Sequence, residues 1–178
     1  MAVPSQDQLI AAVFNTTFAD CNVSLIGGAT EPRYLAATIK RSAQLLYTAD
    51  FSSSALHEAA HWCLAGRQRR LLDDFGYYYV PAELRNADDQ LCFEAAEVRT
   101  QAVEWLFSIA AGVQFHLSVD SIGRDTRDFR EAVLIEVQAR LRNGLPSRAV
   151  RFRDVLAVAF GGTNDPTWAR LVCEAERV

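Results

Sequence analysis

Apolar residues recur at helical intervals along much of this chain. Leu9, Ile10, Val13, Phe14 and Phe18 follow a Ser5 to Gln8 capping-box spacing, which predicts an amphipathic helix ending near Asp20. Ala102, Val103, Leu106, Phe107 and Ala110 predict a helix over 98–111, stopped at Gly112, with residues 93–97 either part of it or an approach segment. Phe129, Val133, Val137 and Leu141 mark a further helix ended by Asn143-Gly144, and residues 149–160 a last one before Gly161-Gly162. Between the first two lie short strand-like runs at 22–26, 33–37 and 44–48, with a turn at Gly27-Gly28, and an aromatic run at 76–80 that reads as a strand before a polar loop through Gln90. The pattern predicts an α+β class, a small mixed sheet surrounded by helices.

One more helical stretch carries chemistry. Residues 55–65 contain no Gly, Pro or β-branched residue, Ser52-Ser53-Ser54 offers N-cap candidates, and Gly66 stands where the helix should stop. Within it, His57-Glu58-Ala59-Ala60-His61 holds two of the 3 histidines in the chain. Residues i and i+4 stack on one helix face, so the two imidazoles can grip one metal ion. Leu56, Ala60, Cys63 and Leu64 give the helix an apolar side, which turns the histidine face toward a cleft near the core. Trp62 and Cys63 point off the chelating face and read as packing.

Composition narrows the picture. With 178 residues and 50% hydrophobic content the chain suits one sizeable core, and residues 1–178 are read as a single domain. No apolar run is long enough for a membrane helix and no secretory leader opens the sequence, so the expectation is a cytoplasmic protein with no membrane partner. Cys21, Cys63, Cys92 and Cys173 are scattered without a C-x-x-C pair, which predicts reduced thiols rather than a disulfide scaffold or zinc knuckle. A net charge of −4 offers no general attraction for nucleic acid. The basic residues are uneven, however: Arg67, Arg69 and Arg70 follow the histidine helix and could dock an acidic partner or simply face solvent, and Arg148, Arg151 and Arg153 cluster later.

Two histidines need a third ligand. His116 sits in an alternating apolar segment and reads as a strand residue. Glu94, Glu97 and Glu104 all lie in or beside the following apolar helix, and spacing alone leaves the choice among them open. The absence of a second Glu-x-x-His helix speaks against a di-iron centre. No His-x-Asp with a distant histidine, of the 2-oxoglutarate type, is present either.

Residues 55–79 (ALHEAAHWCLAGRQRRLLDDFGYYY) and 93–112 (FEAAEVRTQAVEWLFSIAAG) resemble the bacterial elongation factor P hydroxylases. That family shows, in this order, a His-Glu-x-x-His-Trp-Cys helix, an Ala-Gly-x-x-Arg-Arg turn, an Asp-Phe-Gly-Tyr run and a Phe-Glu-x-x-Glu-Val segment. Similarity extends to residues 14–20, 118–123 and 144–152. The chain departs from the family pattern at Tyr77-Tyr78-Tyr79, where a tryptophan is usual in the middle, and after Pro81, where Ala82-Glu83-Leu84-Arg85 replaces Asp-Gly-Arg. The resemblance implies a mononuclear hydroxylase, Fe(II)-dependent with zinc as the alternative, that uses O₂ to hydroxylate the modified lysine of elongation factor P. It implies His57, His61 and Glu97 as the metal ligands.

Glu58 is expected to act in catalysis beside the metal. Arg67, Arg69, Arg70, Tyr77 and Tyr79 are expected to meet the protein substrate, with the aromatic run either walling the pocket or forming a plain core strand. Two other classes share parts of the pattern. A zinc metallopeptidase also combines H-E-x-x-H with a glutamate, and a non-enzymatic translation-factor-binding module could hold a structural metal in a closed four-ligand shell.

Overall fold

In the computed structural model, residues 3–48, 51–77, 84–119, 125–165 and 167 are described. Helix α1 (Gln6–Thr17) begins at Ser5 with the capping box that the spacing predicts, and ends three residues before Asp20. A 3-10 turn, Ala19–Cys21, leads into β1 (Val23–Ala29), followed by β2 (Arg33–Leu35) and β3 (Ala43–Thr48). The sheet order is β1-β3-β2, with β1 parallel and β2 antiparallel to β3, so it is mixed. Around it stand α2 (Ser52–Leu64), α3 (Ala87–Ala111), α4 (Thr126–Asn143) and α5 (Ser147–Phe160). The class is α+β, as the periodicity predicts. Among the described residues no helix is long and apolar enough to cross a membrane.

Val23, Leu25, Tyr34, Leu45 and Tyr47 are buried on the sheet. Helices α1 and α2 cover it, and the Asn15 side chain ties α1 to β1 by accepting from Leu25 N at 2.7 Å and donating to Leu25 O at 3.1 Å. Gly27-Gly28 is not a turn but part of β1, whose register with β3 shifts between Ile26 and Ala29. The reason is a close approach: a Cβ on Gly27 would stand 2.6 Å from the Tyr47 ring, whose hydroxyl donates to the buried Asp7 at 2.8 Å. Gly27→Ala is therefore expected to cost about 1–3 kcal/mol by overpacking. Denaturant unfolding reads this directly, and an unchanged midpoint would mean that the sheet gives way freely.

Three further expectations change. Helix α2 has Phe51 at its N-cap, which offers no side-chain acceptor, while the three serines lie inside the helix: the Ser54 hydroxyl accepts from Thr48 N at 3.1 Å and locks the end of β3 to α2. Helix α3 begins at Ala87 rather than after Gln90, and includes residues 93–97. Asn86 caps it by accepting from Asp89 N at 2.9 Å, and Asp88 and Asp89 complement the helix dipole. Gly76 and Tyr77 do not form a strand; residues 78–80 lie outside the described ones. Asp73–Gly76 is a 3-10 turn, with Asp74 and Phe75 in the left-handed region at φ 48° and 57°. The cause is β2, the sheet's edge strand. Its Tyr34 N donates to Asp74 at 2.9 Å and the following Ala36 N to Asp73 at 2.7 Å, so the two carboxylates draw the chain into a turn.

Helix α3 is the structural centre. Val103, Phe107 and Ala110 join the core formed with the sheet, α1, α2 and α5, while Ala102, Trp105 and Leu106 pack with Phe129, Val133 and Val137 of α4 in a second cluster. A helix covered on both sides leaves little freedom for any side chain it aims at α2.

Candidate metal centre

Part of the face that α3 turns toward α2 is polar. Glu97, Thr100, Gln101 and Glu104 fall at helical spacing, and the last three are buried. Opposite them stand His57 and His61 of α2. The two Nε2 atoms lie 3.0 Å apart, Glu97 Oε1 is 3.5 Å from His61 Nε2, and Glu97 Oε2 is 3.8 Å from His57 Nε2. Donors about 2.1 Å from one ion stand about 3.0 Å apart at a right angle and about 3.6 Å apart at 120°, so this spacing fits a shared metal ion. The three form the candidate metal-binding group among the described residues.

The second ring nitrogens fix the tautomers. His57 Nδ1 donates to Glu104 Oε2 at 2.8 Å. The Thr100 hydroxyl gives its proton to Ala96 O at 3.1 Å and so accepts from His61 Nδ1 at 3.3 Å. Both Nε2 atoms are left with lone pairs aimed at each other, an arrangement that a cation or proton between them must relieve. Glu97 is held in turn by Gln101, which donates to its Oε2 at 3.2 Å and pairs with both backbone groups of Ser118, at 2.9 and 3.1 Å.

Electrostatics point the same way. Burial disfavours the charged form of His57, but the charge and hydrogen bond of Glu104, with Glu97 and Glu58 beyond it, outweigh this and raise it to about 10 in the metal-free protein. Burial pushes Glu97 up, yet the hydrogen bond with His61 and the charges of both histidines bring it down to about 2. A divalent cation bound at this cluster would take the place of that proton, so its binding would release the proton. Glu58 differs. It is buried beside the pair, no hydrogen bond holds its carboxyl among the described residues, and burial raises its pKa against the opposing pull of His61 and His57.

Of the three carboxylates that spacing left open, the structure brings Glu97 to the histidines. It sets Glu104 behind His57, and buries Glu94 next to Gln90, which donates to it at 2.8 Å. His116 is exposed in the stretch 113–119, which is not a strand, and takes no part. Phe75 lies nearly parallel to His61 at 6.3 Å and stacks on Tyr34 at 4.2 Å, so it walls the site from the turn rather than from a strand. Trp62 and Cys63 are buried in the core, as packing residues.

The arginines divide. Arg67 and Arg69 are exposed, and Arg69 lies 4.0 Å over the Tyr77 ring. Arg70 instead donates to Ala65 O at 2.6 Å, and Arg148 donates to the carbonyls of Trp62, Cys63 and Ala65. Together they complement the carbonyl end of the histidine helix. Arg151 pairs with Asp20 and Arg153 with Asp154. Tyr79 and the altered stretch at Pro81 to Glu83 lie outside the described residues.

Glu104 is expected to matter for metal affinity without touching the metal. Glu104→Ala should weaken metal binding by about 10–100-fold, the usual loss when a histidine ligand's partner is removed. Competition with a chromophoric chelator measures this, and unchanged affinity would reduce Glu104 to packing.

In this α+β protein two helices bring two imidazoles and one carboxylate to a single point, a candidate site for one metal ion. The comparisons with known proteins give the family. The chain belongs to the elongation factor P hydroxylase family, whose model matches residues 13–169. It is 43% identical over 161 residues to the elongation factor P lysine hydroxylase of Haemophilus influenzae, covering 88% of this chain and 89% of that protein.

Proposed function

We propose that this protein is a cytoplasmic, iron-dependent hydroxylase, acting as one domain, that uses O₂ to hydroxylate the modified lysine of elongation factor P. The observation that carries the reading is the convergence of two tautomer-fixed imidazoles and Glu97, in a family whose named relative hydroxylates a lysine of that factor. Two histidines and one carboxylate are the donor set of non-haem Fe(II) oxygenases, in which the ion activates O₂ for attack on an unreactive C–H bond.

The chain's own residues supply the setting. Glu104 and Thr100 keep Nε2 of each histidine directed at one point, and Gln101 holds Glu97 in place. Phe75 gives an apolar wall 6.3 Å from the His61 ring. Glu58, buried with its proton affinity raised, is suited to carry a proton to or from the reacting group. Arg67, Arg69 and Tyr77 are proposed to meet the protein substrate; Arg70 belongs to this surface only through its backbone neighbours, since its guanidinium serves the end of α2.

The same donors suit zinc, and a zinc peptidase would use Glu58 to activate water. Metal content separates the two. Protein prepared anaerobically is expected to hold iron, and only the iron form should modify elongation factor P. A zinc form that cleaves peptides, with an iron form that modifies nothing, would favour the peptidase.

A further inference from the structure

A cleft of about 270 Å³ opens beside His61 and Thr100 without reaching His57 or Glu97. Of the three candidate ligands only His61 lines it. Arg69, Arg99 and Arg140 line it, and no carboxylate does among the described residues. Arg140 is paired with Glu136, at 2.6 and 2.7 Å. Arg99 spends its Nε on Ala95 O at 3.0 Å, and Arg69 rests on Tyr77; neither has an ion-pair partner among the described residues. Three guanidinium groups thus face one carboxylate, in a chain whose net charge is −4. Leu64, Phe75 and Pro146 provide apolar wall between them.

We infer that this cleft binds a small organic dianion, held by the Arg69 and Arg99 guanidinium groups with its carbon skeleton against Phe75 and Leu64. Guanidinium forks match carboxylate and phosphate oxygens in pairs, and the excess of two positive charges fits two carboxylates or one phosphate. A concave, apolar-walled space close to the lower end of the roughly 300–1,000 Å³ usual for small-molecule sites suits a compact ligand better than a protein surface. The inference stands on the cleft alone and does not depend on the hydroxylase reading.

The test is calorimetric titration of the metal-loaded protein with succinate and, separately, with inorganic phosphate. It is repeated on the double variant Arg69→Gln/Arg99→Gln, with metal content measured for both proteins. Saturable binding of at least one probe by the parent, weakened at least about tenfold in the double variant at equal metal content, is the expected result. Preference for succinate or for phosphate identifies the oxyanion. Equal binding by both proteins would move the anion site elsewhere and overturn the inference. Absence of binding by the parent would also overturn it.

Discussion

His61→Ala is expected to strip the protein of its metal while leaving it folded. The imidazole supplies one of three donor atoms, so its loss should cost more than the roughly 10–100-fold that follows from removing a ligand's hydrogen-bond partner. Folding should survive because α2 is anchored by Leu56, Ala59, Ala60 and Cys63, all buried, and because Thr100 keeps its bond to Ala96 O when the ring is gone. Glu97→Ala is expected to behave likewise, and Glu94→Ala to retain metal. His57→Ala should also lose the metal, at an additional cost in stability, since Glu104 would be left buried without its partner. Circular dichroism and metal analysis on the same preparations check both halves. If Glu97→Ala held iron as tightly as the parent and Glu94→Ala did not, the carboxylate would be wrongly assigned.

The second large effect concerns turnover alone. Glu58→Gln keeps the shape of the side chain and removes its ability to exchange a proton. Glu58 makes no hydrogen bond among the described residues, so the neutral amide leaves no bonded partner behind, while the histidines lose only the more distant part of the charge that acts on them. Metal content should be unchanged while hydroxylation of elongation factor P falls by about 10²–10⁴-fold, the usual worth of a positioned acid or base. Parent-like turnover would leave Glu58 as scaffolding.

Much of this arrangement can be read from the chain, and the parts that cannot have definite causes. The i,i+4 spacing of His57 and His61 announces the chelate because a helix puts those positions on one face whatever surrounds it. Its third donor is harder: Glu94, Glu97 and Glu104 share a helix, and only the packing of α3 on α2 brings Glu97 to the ligand point and sends Glu104 behind His57. The polar stripe Glu97, Thr100, Gln101 and Glu104, running into the apolar stretch 102–111, was nevertheless a usable signal, since buried polar residues at helical spacing need partners on the facing element. The turn at Asp73–Gly76 was not legible. Nothing local in Asp-Asp-Phe-Gly announces it, because the two carboxylates that shape it bond to a strand edge about 40 residues earlier in the chain. Gly27-Gly28 misleads in the same way, because the glycine is demanded by the Tyr47 ring and not by a turn. The cleft beside His61 draws Arg69, Arg99 and Arg140 from three separate segments, a convergence no local spacing contains.

The most direct test of the account is the intact mass of elongation factor P carrying its lysine modification, after incubation with the iron-loaded protein and a reductant under ¹⁸O₂. Elongation factor P should gain one labelled oxygen atom on the modified lysine, absent without O₂ and absent with His61→Ala. An unchanged mass with the parent protein fully iron-loaded, or oxygen incorporation that persists in His61→Ala, would contradict it.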